Sequence, residues 1–150
     1  MKIPKELENQ LKACPANFRS AENLIKRARK DLSTAALIQH DDREAAYTLF
    51  YDCMLHAGLA CMSVLGYSPN LQGKHKTVVL FMEHVLGRKS KDLIEFYDRM
   101  RRKRHQFLYE PGLSDCTAKE ILDAKKIAEE FLFKVVETLK DKHPQKELHF

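Results

Sequence analysis

Residues 98–110 read DRMRRKRHQFLYE, and five of the six positions from Arg99 to Arg104 are cationic. Guanidinium groups hold phosphate oxygens through paired N–H donors. His105 carries an imidazole, the side-chain type suited to moving a proton at physiological pH. Tyr109 adds a phenol that donates a hydrogen bond or stacks on a base. On a helix, at about 100° per residue, these side chains separate. Arg101, His105 and Tyr109 form a stripe at i, i+4, i+8, with Arg102 alongside. Arg99 and Lys103 fall on the other flank. Leu93, Phe96, Tyr97, Met100, Phe107 and Leu108 form the apolar face, and Arg104 lies in the middle of it. Arg99, Arg102 and Lys103 fit ordinary solvated charge. Arg104 does not, because an unpaired charge on a buried face is costly.

The partner expected for Arg104 is Asp52. It belongs to a narrow polar line, Thr48, Asp52 and His56 at i, i+4, i+8, inside an otherwise apolar stretch. The spacing predicts that Arg104 and Asp52 lie within salt-bridge reach, and that His56 is a satisfied core histidine. "GKHKT" at 73–77 lacks the upstream glycine and strand of a phosphate-binding loop. Gly73 and the Lys74–Lys76 cations instead open a helix, from which His75 could reach a phosphate. His40, His84 and His143 read as surface residues.

Helices must position these groups. Ile3, Leu7 and Leu11 predict a short helix over 4–13 that stops before Pro15. A second, from about 20 to 40 with Ser20 as N-cap, turns Ala21, Leu24, Ile25, Ala28, Leu32, Ala35 and Ala36 inward. The third starts at Asp41 or Asp42 and ends at Gly66. It is apolar nearly all round, which marks a central helix covered on several sides. "SPNLQGKHK" reads as a loop, followed by a helix over 75–87. The cationic strip lies on the next helix, capped at Ser90 and stopped before Pro111. The last follows in "SDCTAKEILDAKKIAEEFLFKVVETLKDK", with a capping box at Thr117/Glu120, and ends at Pro144. Phe131, Leu132, Phe133, Val135 and Val136 exceed what one face needs, so they extend the core or form a dimer surface. The expected fold is all-α: an up-and-down bundle of four to five main helices plus the short N-terminal helix, in one domain over 1–150 with its core at about 18–142.

A chain of 150 residues with 44% apolar and 31% charged side chains suits a globular domain. Five glycines and five prolines are few breakers, which favours helix. The net charge of +5 permits a polyanionic partner without requiring one. The N-terminus has no apolar run of the signal-peptide kind, and no window approaches a membrane span. Cys14, Cys53, Cys61 and Cys116 form no CxxC pair, so four reduced thiols in a cytoplasmic protein are expected, with no metal and no cofactor.

From about Ser20 to Leu139 the layout resembles HEPN domains (higher eukaryotes and prokaryotes nucleotide-binding). The stretches that carry it are "AENLIKRARKDLSTAALI", "REAAYTLFYDCMLHAGLACMSVLGYSPNLQGKHKTV", "YDRMRRKRHQFLYEPG" and "AKEILDAKKIAEEFL". The resemblance implies a helical bundle that is often a homodimer. Many such proteins are metal-independent ribonucleases, including toxins encoded beside a nucleotidyltransferase-type antitoxin. Their motif is an arginine, a polar residue, and a histidine a few residues on. Two alignments fit. Either Arg99 and His105 are the motif pair, or Arg104 is the motif arginine, His105 the polar residue, and Tyr109 stands where the histidine is usual. The second accounts for an inward-facing arginine. It implies Arg104 on phosphate, His105 as acid/base and Tyr109 assisting, with Arg101, Arg102 and His75 as further phosphate contacts. The alternative is a non-catalytic module that binds RNA, a nucleotide or a partner protein through the same cleft.

Overall fold

The structure, a computed structural model, describes residues 1–112 and 115–150. It is an all-α bundle. The elements are α1 (Lys5–Glu8), β1 (Leu11–Ala13), α2 (Phe18–Ile38), α3 (Arg43–Leu65), β2 (Tyr67–Pro69), α4 (Lys74–Leu86), α5 (Lys91–Tyr109) and α6 (Ala118–Lys142), with a 3₁₀ turn at Arg88–Ser90 before α5. Ser114, at the head of the last predicted stretch, lies outside the described residues.

Local chemistry sets most helix ends. Asp42 caps α3, its carboxylate accepting from Ala45 N at 3.0 Å, and Gly66 closes it at φ +81°. At the start of α6, Thr117 Oγ1 accepts from Glu120 N while Glu120 Oε1 accepts from Thr117 N, a reciprocal capping box. Two caps differ from expectation. α2 begins at Phe18, because Asn17 takes the cap by accepting from Ser20 N. Ser90 precedes α5 without capping it, since its hydroxyl accepts from Lys134 Nζ of α6 at 3.1 Å.

The N-terminal segment departs further. The helix predicted over 4–13 stops at Glu8, and residues 11–13 pair antiparallel with 67–69, in a stretch read as loop. Leu11 faces Pro69 and Ala13 faces Tyr67. Cys14 N then donates to Gly66 O at 2.9 Å, and a Cβ on Gly66 would stand 2.9 Å from Cys14 O, so glycine is needed there for approach as well as for turn geometry. A pairing between segments some 55 positions apart leaves no mark in the local period of either.

α3 is the central helix, packed against α2, α4, α5 and α6. Contrary to the expectation that no window approaches a membrane span, α3 is long and apolar enough to cross one, but most of it is buried within the bundle. α4 comes close to it at Gly58, where a Cβ would meet Val78 Cγ1 at 2.5 Å. α6 contributes Phe131, Leu132, Val135 and Val136 to the core and leaves Phe133 exposed. Phe131 packs on Tyr97 at 4.9 Å between ring centroids, Tyr97 on Tyr51 at 5.7 Å, and Tyr51 on His75 at 5.7 Å. This aromatic column runs from α6 through α5 and α3 to the first turn of α4. All four cysteines are free; Cys14 is exposed and the others are buried. Of the histidines read as surface residues, His40 and His84 are exposed. His143 instead packs edge-on against Phe18. Beyond α6 the chain folds back, with Leu148 and Phe150 against the core.

Candidate functional site

α5 delivers the cationic strip with its faces sorted. Leu93, Tyr97 and Met100 are buried, and Phe96 and Phe107 are partly so. Leu108 is exposed, unlike the wheel's prediction, because in the last turn of α5 it is Phe107 that turns inward, edge-on to Tyr47 of α3. Arg104 is inward: its side chain is 22% exposed, and its Nε lies 3.5 Å from Asp52 Oδ1. That is ion-pair distance without hydrogen-bond geometry, and Nε has no hydrogen-bond partner. The guanidinium carbon sits 5.3 Å from the centre of the Tyr51 ring. Asp52 and Tyr51 thus hold the arginine by charge and by face, and among the described residues its guanidinium makes no hydrogen bond.

A cleft of about 380 Å³ opens beside it, between the last turns of α5 and the start of α4. Arg101, Arg104, His105 and Tyr109 line it from α5. Leu71, Gly73, Lys74, His75 and Lys76 line it from the loop and first turn of α4, and no carboxylate is among the lining residues. Arg101 is braced from behind by Asp98, whose Oδ1 accepts from Arg101 Nε at 2.9 Å. The His105 and Tyr109 rings lie against each other, 4.6 Å between centroids, and Tyr109 is 70% exposed at the rim.

The other expected members fall elsewhere. Arg102 and Arg99 line a neighbouring groove between α4 and α5 instead of this cleft. Lys103, expected in solvent, pairs with Glu120 of α6. The distance between Arg99 and His105 on the helix wheel therefore persists in the fold, and Arg104 is the arginine that shares a cleft with His105 and Tyr109.

Three groups were not assigned from sequence. Tyr51 is one: its hydroxyl is 2.8 Å from His75 Nδ1. Burial raises the Tyr51 phenol well above its ordinary value, so it stays protonated and can donate to Nδ1, which leaves the His75 Nε2–H for the cleft. Lys74 and Lys76 are the second group; they read as helix-start charges but line the cleft. Asp31 is the third. It is fully buried on α2, bonded to His56 Nδ1 at 2.7 Å and to Arg27 at 2.6 Å, which satisfies His56 as expected. Its placement between the inward Ala28 and Ala35 was the available signal.

Burial, reinforced by Arg104, Lys74 and Arg101, lowers the pKa of His75 below 6.5. Its folded value is therefore depressed, and its contribution to stability is present above pH 6.5 and lost as pH falls through the folded value. Wild type is expected to lose thermal stability over that acid window. His75→Asn, whose amide can keep the Tyr51 contact, is expected to flatten the loss, as melting curves at stepped pH will show. An unchanged slope in the variant would remove His75 as its source.

A cationic, carboxylate-free cleft with an aromatic rim suits a phosphate-bearing ligand. Among the described residues, no three His, Cys, Asp or Glu side chains gather as a metal-holding group. The HEPN domain family model matches residues 21–139. The chain belongs to the HEPN domain family. The matched span covers nearly all of α2, then α3 through α5 and nearly all of α6, so the HEPN portion includes both walls of the cleft, while α1 and β1 lie outside it. No curated protein and no solved structure matches the chain.

Proposed function

We propose that this HEPN protein binds single-stranded RNA in the α4–α5 cleft and cleaves it without a metal. The observation that carries the reading is the lining itself: Lys74, His75, Lys76 and Arg101 gather around Arg104 and His105, with no acid among the lining residues. Arg104 and Arg101 hold the non-bridging oxygens of one phosphodiester. His105 takes the proton from the ribose 2′-OH, and that oxygen attacks phosphorus. The P–O5′ bond breaks, the 5′-oxygen takes up a proton, and a 2′,3′-cyclic phosphate remains. Tyr109 stacks on a base or donates to the phosphate, since a phenol is a poor base at neutral pH. A homodimer that sets two strips face to face, a toxin role beside a nucleotidyltransferase-type antitoxin, and a cytoplasmic location belong to the same reading. The second reading, a module that binds RNA, nucleotide or a partner without cutting, is favoured by Tyr109 at the usual histidine position.

Total RNA incubated with the full chain in chelator separates the two. The expected result is cleavage leaving cyclic phosphate ends, reduced at least about 100-fold in Arg104→Ala and in His105→Ala, the usual scale for a lost acid/base or oxyanion contact. Intact RNA with pure wild type, under conditions where it binds RNA, leaves the binding module.

A further inference from the structure

A second cavity, about 460 Å³, lies between α4 and α5 on the far side of Lys76. Lys76 lines both cavities, and Arg101 and Arg102, adjacent in sequence, line one each. The two are therefore neighbours that share Lys76 as a wall, but their chemistry differs. The cleft with Arg104 has no carboxylate. The groove is charge-balanced, with Lys76, Arg99 and Arg102 against Glu83, Glu95 and Asp98, over a floor of Val79, Leu80 and Ile94.

The charges are not equally free. Asp98 pairs with Arg101 and Arg102, and Glu95 with Lys91. Arg99 rests its guanidinium 4.8 Å over the Phe96 ring. Glu83 is exposed, and among the described residues its carboxylate has no ion pair or hydrogen bond. An apolar floor with one unengaged acceptor, next to a cationic cleft, is a poor place for a phosphate and a suitable one for a base. A carboxylate only accepts hydrogen bonds, so it favours a base edge that carries an exocyclic amino group.

We propose that the groove is a base-selecting subsite of the RNA site. The inference rests on the RNA reading above. The nucleotide next to the phosphate on Arg104 places its base on Val79, Leu80 and Ile94, and its exocyclic amine donates to Glu83. Lys76 bridges on the intervening phosphate, and Arg99 offers a guanidinium plane for stacking. Adenine and cytosine are accepted over uracil, whose keto oxygens face the carboxylate with like polarity.

Labelled 2′-O-methyl hexanucleotides of adenosine, cytidine and uridine, which cannot be cut through the 2′-oxygen, test this by fluorescence anisotropy with the full chain. Wild type is expected to bind the adenosine and cytidine oligomers about tenfold tighter than the uridine one, the scale of one base-edge contact. Glu83→Leu is expected to bring them down to the uridine affinity; Glu83 is exposed, so the change costs no packing. Equal binding of all three by wild type, or a preference that survives Glu83→Leu, overturns the subsite and leaves the RNA reading standing. No binding of any oligomer overturns both.

Discussion

Arg104→Ala is expected to weaken single-stranded RNA binding by roughly 10- to 150-fold, because one charge-assisted contact of about 1.5–3 kcal/mol is lost. The slope of log affinity against log salt should fall by about 0.7, the signature of one phosphate contact on a single strand. Arg104→Lys should keep the slope and recover only part of the affinity, since an ammonium cannot present the planar fork. The removal also strands Asp52. Burial already raises its carboxyl above the ordinary value, against the pull of Arg104. With the arginine gone the carboxyl rises further. A raised carboxyl pKa means stability is fully present below the unfolded value and lost as pH rises through the folded one. The variant should therefore be destabilised at neutral pH, by about 1–2 kcal/mol for a pair that is only partly buried, and recover in acid. Asp52→Asn added to Arg104→Ala should restore stability without restoring binding. If the double variant regains RNA affinity, Arg104 acts through folding and not through phosphate.

The largest stability effect is expected at Phe131→Ala, about 3–5 kcal/mol, which for a chain of this length lowers the melting temperature by roughly 10 °C or more. Phe131 is fully buried and packs at a tilt on Tyr97, also fully buried. Removing the ring opens a cavity at the foot of the column that ends on Tyr51 and His75. Tyr97 can then tilt, and Tyr51, which carries both the face of Arg104 and the bond to His75, loses its backing. RNA affinity should drop several-fold even where the variant is folded. Phe131→Leu should recover most of the stability, because it refills volume. Thermal melts with binding measured well below the transition check this; full affinity in folded Phe131→Ala would show that the cleft does not depend on the column.

Reading the helices needed no tertiary information. The 3.6-residue period marked α2 and α5, and apolar runs bounded by caps and breakers marked α3, α4 and α6. Short-range signals set several ends: Asp42 and Gly66 for α3, and the Thr117/Glu120 box for α6. Where a distant partner competes, the local signal misleads. Ser90 looks like a cap but serves Lys134, and Leu11, in phase with Leu7, was drawn out of the predicted helix by a strand that lies far along the chain.

The site was legible in kind and not in arrangement. Composition and period alone marked Arg104 as the inward cation and proposed Asp52 beside it, because a charge on an apolar face demands a partner and α3 offers few polar residues. Which of the remaining cations line the cleft is another matter. Lys103 is neutralised by Glu120, Arg101 and Arg102 share Asp98 yet face different cavities, and Lys74 and Lys76 arrive from another helix. The sequence by itself determined the helices and the chemistry each can present, since both follow from near neighbours. Only the tertiary structure decided which charges are cancelled and which stay free, since cancellation depends on carboxylates brought up by other elements and on one helix lying against the next.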